Sequence, residues 1–553
     1  MVSVLILAAC EVHDAVVCAN GLDANGDGWC DADSADWSED AALEPGTDRH
    51  NIYALDEEAL AEVTAAGLGH ASAWPVGVSG LLLPDASFRR LFEEDTTDPD
   101  REDFQSVARK TLGFGTMEEM ADWLGLARYP EDGSIPAPAG MEAGDPMGMG
   151  TVDTAWGPAF SVSCFACHAS ELFGKPVVGL TNRRSRANEY FDSTSTFFPV
   201  FPASAFADLT GATDTELQLY LRAQGNLPAV GARVPAVHGL DTSLAQVGLS
   251  LARRQPDAWA TRDAELERDP RESLLDDFVA DSKPAVWWTL RYKTRWLSDA
   301  SVRSGNPIFT NFLWNEIGRG TDLHELEGWM AENGRAMDEL TVAVFNTPAP
   351  RWEAFLPDFP VDVEAAQRGE VVFETSCAAC HGHYEKGWSE GAEGAAALLT
   401  TRVVYAAQTE AVDVGTDPQR AAGMADFAEA LNGLVLSARM GTRVAVSTGY
   451  APPPLDGIWS RFPYLHNGSV PTLCDLLRPA AERPPSFTVG PADDPETDFD
   501  GACVGLPATP PAAWTEDPAN LVDTTLPGLG NGGHEIAVDE LDRRDLIEFL
   551  KTL

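Results

Sequence analysis

The sequence predicts a mainly α protein of two domains interrupted by long loops. Three observations carry that expectation. Apolar residues recur at three- and four-residue steps in well-separated stretches, Gly/Pro-rich segments break those stretches, and the pattern Cys-x-x-Cys-His occurs once in each half of the chain. The helical stretches are IYALDEEALAEV (52–63), DREDFQSVARKTL (100–112), MEEMADWLGLA (117–127) and DTELQLYLRA (214–223). The chain closes on LDRRDLIEFLKTL (541–553), which puts Leu546, Leu550 and Leu553 on one stripe. EDGSIPAPAGMEAGDPMGMG (131–150) is the longest evident loop, and NTPAPRWEAFLPDFP (346–360) reads as a connector. The expected division is therefore an acidic tether over 1–50, one domain over 51–345 and a second over 346–553.

Composition narrows the class. At 553 residues the chain is too long for one ordinary core, and 44% hydrophobic against 22% charged residues suits a globular protein. Beyond the N-terminus no stretch approaches the roughly 18 apolar residues needed to cross a bilayer. A formal charge of −48 excludes nucleic acid as a partner, because phosphate would be repelled. It permits steering of a basic protein partner. It equally suits a solvated surface in a salty habitat.

Nine cysteines stand at 10, 18, 30, 164, 167, 377, 380, 474 and 503. Cys164-Phe-Ala-Cys167-His168 and Cys377-Ala-Ala-Cys380-His381 are two copies of the attachment signature of c-type haem. Two thiols on one turn can reach the two vinyl groups, and the adjacent imidazole can meet the iron. Zinc would use the four cysteines without their histidines, and a redox switch would expect a thioredoxin-like sheet. Two copies point to two covalently attached haems c. Cys18 with Cys30, and Cys474 with Cys503, suit disulfides of an oxidising compartment.

Export is expected on a second ground. Leu7-Ala8-Ala9-Cys10 ends a short apolar run and resembles the lipobox of bacterial lipoproteins, though the usual positive n-region is missing. Lipidation at Cys10 would anchor the protein in the periplasm or at the outer membrane or cell surface of a Gram-negative bacterium. Within the tether, DANGDGWCD offers Asp23, Asn25, Asp27 and Asp31 at alternate positions around Gly28, the order of a calcium loop. Acidic-linker composition is the competing account.

Around the second motif, Gly369 and Phe373 precede Cys377, and Leu546 and Leu550 lie on the last helix. This resembles the cytochrome c fold, whose first and last helices cross where a glycine lets the backbones approach. The fold class expected is thus two cytochrome c-like domains, each with one covalently bound haem c.

PLDGIWSRFPYLHNGSVPTLCDLLRP (454–479) resembles the PYxHNGS block of the bacterial di-haem cytochrome c peroxidase superfamily, with its MauG-type enzymes and rubber oxygenases. With SFTVG (486–490), LPGLGNGGHE (526–535) and the IEFLKTL ending, the likeness is to the rubber-oxygenase-like branch. The resemblance implies that His534 is the second axial ligand of the C-terminal haem, with His466 and Met440 as rivals. Peroxidases that need reductive activation carry a switchable histidine shortly after this motif; here none follows His168 until His238, so the resemblance implies an open first iron. It also implies a relay at Trp296, with Trp287, Trp288 and Trp314 as competitors. A proton-shuttling carboxylate is expected at Glu316, twenty residues on, beyond Asn306. Phe312 could instead form the apolar wall of an oxygenase.

The expected function is peroxide reduction at the N-terminal haem. Electrons would come from a small cytochrome or cupredoxin through the C-terminal haem. The alternatives are a dioxygenase cleaving an apolar alkene such as polyisoprene, and a plain di-haem electron carrier.

Overall fold

A computed structural model describes residues 36–553 apart from 139, 274 and 276–280. The lipobox at Cys10, the Cys18 and Cys30 pair and the calcium-loop residues Asp23, Asn25, Asp27 and Asp31 lie outside the described residues. Helix accounts for 43% of the chain and strand for 11%, so the mainly α expectation holds in its coarse form. The helices needed below are α1 (Glu57–Ala73), α2 (Ser243–Ala252), α3 (Pro307–Gly318), α4 (Leu323–Asn346), α5 (Val363–Ser376) and α6 (Glu540–Lys551). No described helix is long and apolar enough to cross a membrane.

Helix starts follow local chemistry. Asp56, Asn306, Asp322, Asp362 and Asp539 each accept a backbone N–H at the N-cap of α1, α3, α4, α5 and α6 respectively. Pro307 opens α3, where its missing N–H costs nothing. At the other end of α3 the buried Arg254 donates to the carbonyls of Ile317 and Thr321, so a cation closes the negative end of the helix. Strands form a three-stranded antiparallel sheet that runs into the first motif, and small two-stranded pairs elsewhere. These were not anticipated, because the pairing partners are too short to show period-two alternation.

The crossing expected of a cytochrome c-like domain is present. α5 and α6 meet at Gly369, where a Cβ would stand 2.0 Å from the Asp545 carbonyl oxygen. Arg368 donates to both Asp545 carboxylate oxygens at 2.7 and 2.9 Å, and the Phe373 and Phe549 rings lie 5.1 Å apart. A disulfide joins Cys474 and Cys503.

Two cores each take residues from both sides of the 345/346 division. One joins Trp296, Phe312 and Leu313 to Phe427, Leu431 and Val444. The other joins Leu172, Leu180 and Trp288 to Trp352, Phe373 and Trp459. Nor do residues 36–50 behave as a tether. Arg49 is buried, its guanidinium lies 4.6 Å from the Trp37 ring centre, and Trp37 packs on Trp296 at 6.0 Å. Arg402 and Gln408 add hydrogen bonds to the carbonyls of Pro45, Asp40 and Ala41, and Arg443 pairs with Glu39; the acidic composition hid this anchoring.

Candidate functional site

One cavity of about 840 Å³ has residues of both motifs on its wall: His168 from the first, and Cys377, Cys380 and His381 from the second. Phe165–His168 and Ala378–His381 are each a single helical turn, which puts the histidine beside its cysteines. His168 Nδ1 lies 3.0 Å from the Ala285 carbonyl oxygen, and His381 Nδ1 lies 2.8 Å from that of Pro453. A carbonyl can only accept, so each Nδ1 carries the proton and each Nε2 keeps its lone pair for a metal. Burial pushes both imidazoles down to about 4, which keeps them neutral, the form that ligates. Cys164, Cys167, Cys377 and Cys380 form no disulfide. Burial pushes the Cys164, Cys167 and Cys377 thiols up to about 12. Among the described residues no three His, Cys, Asp or Glu side chains gather as a metal-ion site, so the two cysteine pairs do not converge on one zinc.

His534 stands across from His381, their ring centres 6.1 Å apart. Two imidazoles bound to one first-row metal at about 2.0 Å each would put their ring centres roughly 6 Å apart. The loop that delivers His534 is tightly held. Asn467 donates to the carbonyls of Gly528 and Gly530, Ser469 to that of Gly530, and Asp417 accepts the N–H groups of both glycines. Gly533 takes φ +74° because a Cβ there would lie 2.4 Å from the Gly415 carbonyl carbon. His534 itself is left-handed at φ +53°, its N–H bonded to Val414.

The rival ligands fall elsewhere. His466 lines the cavity but is stacked on Tyr450 at 3.7 Å, and its buried Nε2 has no partner. Met440 lies off the cavity wall, against the core that contains Trp296. Among the described residues no histidine ring stands opposite His168 as His534 stands opposite His381.

α3 corrects two expectations. Its cavity face carries Ile308, Asn311, Trp314, Asn315 and Gly318. Phe312 and Glu316 point the other way, since each residue turns the helix by about 100°. Phe312 packs on Trp74 at 4.9 Å and on Trp329 at 5.6 Å. Glu316 is fully buried, accepts from Thr321 Oγ1 at 2.6 Å and leaves Oε1 without a partner. Burial raises its pKa. A twenty-residue offset from Trp296 selected the wrong face because it ignored the helical register. The i, i+4 amides between Ile308 and Gly318 were the legible signal. Trp296, by contrast, is on the cavity wall, its indole N–H donating to the Gly305 carbonyl at 2.8 Å. Trp287 and Trp314 share that wall, whereas Trp288 is buried away from it.

Arg319, at the end of α3, donates to Ser161 Oγ and to the Val162 carbonyl, and so ties this helix to the strand that enters Cys164. Sequence reasoning missed it, as it missed Lys283, Lys293 and Arg461 on the cavity wall. Lys283 donates to the carbonyls of Arg461 and Pro463. Lys293 makes no side-chain hydrogen bond among the described residues, and burial pushes it down to about 8. Positive charge sunk in a strongly acidic chain suits a ligand bearing carboxylates.

Neutral imidazoles beside paired thiols, a large cavity and buried cations together fit haem c. Haem c is the cofactor of c-type cytochromes, and the arrangement is of the kind such proteins use to hold it. Residues 449–488 match a family profile described as RoxA-like, cytochrome c-like. This stretch contains Pro453, whose carbonyl orients His381, and the Tyr450–His466 stack. Two relatives from Sinorhizobium fredii (strain NBRC 101917 / NGR234) are similar. The uncharacterized protein y4iJ is 27% identical over 262 residues, 37% of this chain and 41% of its own length. The uncharacterized protein y4iM is 31% identical over 243 residues, 35% of this chain and 50% of its own length. The match thus spans half or less of either relative.

Proposed function

We propose that the protein is an exported di-haem c oxidoreductase that handles dioxygen at its first haem and cleaves an apolar alkene. In this reading Cys164, Cys167 and His168 hold the first haem, and Cys377, Cys380, His381 and His534 hold the second. Haem, when bound, would supply an iron able to bind dioxygen. The chain supplies the rest: Ala285 and Pro453 fix the imidazole tautomers, Lys293 and Arg461 meet the haem carboxylates, and α3 shapes the open side. Trp296 bridges the space between the two centres.

One observation carries the choice of dioxygen over peroxide. Heterolysis of peroxide needs a proton donor over the open iron, and the α3 carboxylic acid, Glu316, is turned out of the cavity while amides face it. The resemblance of the C-terminal motifs to the rubber-oxygenase-like branch supports the same choice. The second reading, peroxide reduction by the same pair of haems, is favoured by Trp296 on the shared wall, where an electron relay between two centres would stand. The chain's acidity would draw a basic donor such as a small cytochrome or cupredoxin. A place in the periplasm or at the cell surface is part of this reading, and the Cys474–Cys503 disulfide, which suits an oxidising compartment, supports it.

Two measurements test this. Denatured protein should retain two haems through acid–acetone extraction and give a c-type pyridine haemochrome, with Cys164→Ala losing one of them; a single haem in the wild type rejects the di-haem reading. Glu316→Gln should alter turnover by less than roughly threefold with either oxygen plus polyisoprene or peroxide plus a reduced donor. A loss of about 10² to 10⁴ in the peroxide assay, the usual worth of a general acid, would restore Glu316 and the peroxidase.

A further inference from the structure

The cavity face of α3 holds an amide pair that the haem-attachment chemistry does not use. Asn315 Nδ2 donates to Asn311 Oδ1 and to the Asn311 carbonyl, each at 2.9 Å. With its oxygen so engaged, the Asn311 carboxamide turns its own Nδ2 away from Asn315, and that Nδ2 donates to nothing among the described residues. Asn311 is exposed and lies on the cavity wall. An amide donor on a helix face, oriented by a neighbour one turn on, is a fixed dipole with no proton to lose.

The helix that carries the pair is tied to the first motif. Arg319, just past its last turn, binds the strand leading into Cys164, and the face with Asn311 lines the same cavity as His168. α2 lines the same region through Leu244 and Val247, and its Gln246 donates to the Gly318 carbonyl. The carboxylates that do reach the cavity are Asp241, Asp413 and Glu535. Asp241 lies near His168, and Asp413 and Glu535 adjoin Val414 and His534, which are hydrogen-bonded to each other.

We propose that Asn311 donates a hydrogen bond through Nδ2 to the oxygen ligand at the first haem, and that Asn315 is the positioning residue that aims it. The proposal rests on the open first centre argued above and specifies how dioxygen is recognised there. An amide stabilises a polar diatomic ligand without supplying the proton that would break its O–O bond early. It therefore selects for binding dioxygen intact over splitting peroxide.

Cyanide, a polar diatomic that accepts such a bond, serves as the probe on the haem-loaded protein. In the wild type, resonance Raman bands of the ferric cyanide complex should shift between H₂O and D₂O. Asn311→Leu, close in size but without a donor, should abolish the shift and weaken cyanide binding about tenfold, the worth of one such hydrogen bond. Asn315→Ala should leave a smaller, broadened shift. These measurements do not depend on turnover, and the wild-type shift stands even if Asn311→Leu fails to load haem. A cyanide complex with no D₂O shift, or a shift that survives in Asn311→Leu, overturns the proposal and leaves the open-site reading intact. Failure of cyanide to bind at all overturns both.

Discussion

Replacing His534 by alanine should turn the low-spin ferric centre of the resting protein into a high-spin one, leaving no low-spin signal. The expectation follows from geometry. His381 is held by the Pro453 carbonyl, its Nε2 is free, and the His534 ring stands 6.1 Å away on the far side of the same cavity end. Two strong-field axial ligands give low spin and one does not, and imidazole on both sides also keeps the potential low, so the variant's potential should rise. The backbone is not the cause of any such change. At φ +53° alanine is no better accommodated than histidine, and the loop remains pinned by Asn467, Ser469, Asp417 and Arg483. His534→Gly separates the two effects, since glycine relaxes the left-handed strain yet also removes the ring. Both variants should regain the low-spin spectrum with added imidazole. A low-spin centre that persists in both variants would hand the position to His466, whose buried Nε2 is without a partner. Visible and electron paramagnetic resonance spectra at matched haem content read this directly.

The second large effect is expected at Gly369. A Cβ there would stand 2.0 Å from the Asp545 carbonyl oxygen and 2.9 Å from the Leu546 amide nitrogen, both rigid backbone of α6. Gly369→Val must therefore push the two helices apart. The shift would open the Phe373–Phe549 contact and lengthen the Arg368–Asp545 pair. Overpacking of this kind costs about 1–3 kcal/mol when side chains can yield, and more when, as here, the obstacle is backbone. The damage travels to the site because α5 ends at Ser376, one residue before Cys377. The expected result is a fall in thermal midpoint together with selective loss of haem at the second motif, read by the pyridine haemochrome of the denatured protein. A variant with unchanged midpoint and full haem content would mean that α5 and α6 do not cross at this residue.

How much of this was legible before folding depends on the range over which each feature is specified. The haem-attachment motifs lie within single helical turns, where two thiols and an imidazole are neighbours by covalent geometry alone, so reading Cys164 to His168 and Cys377 to His381 required no tertiary information. The same holds for α5 and α6, whose apolar periodicity and the single glycine at the crossing are local properties of the chain. Three things were decided only by the tertiary structure. Which face of α3 meets the cavity depends on how that helix packs on α2 and on the strand before Cys164. Counting residues from Trp296 therefore chose Glu316, and packing chose Asn311 and Asn315. Residues 36–50, acidic enough to read as tether, are held by Arg49 and Trp37 against a tryptophan more than 240 positions away in sequence. The two cores exchange residues across 345/346 because residues around 172–180 and 286–292 join the second core while residues 424–444 join the first. Local sequence records which chemical groups a turn can present; which groups then face one another is set by long-range burial, and burial is a property of the whole chain.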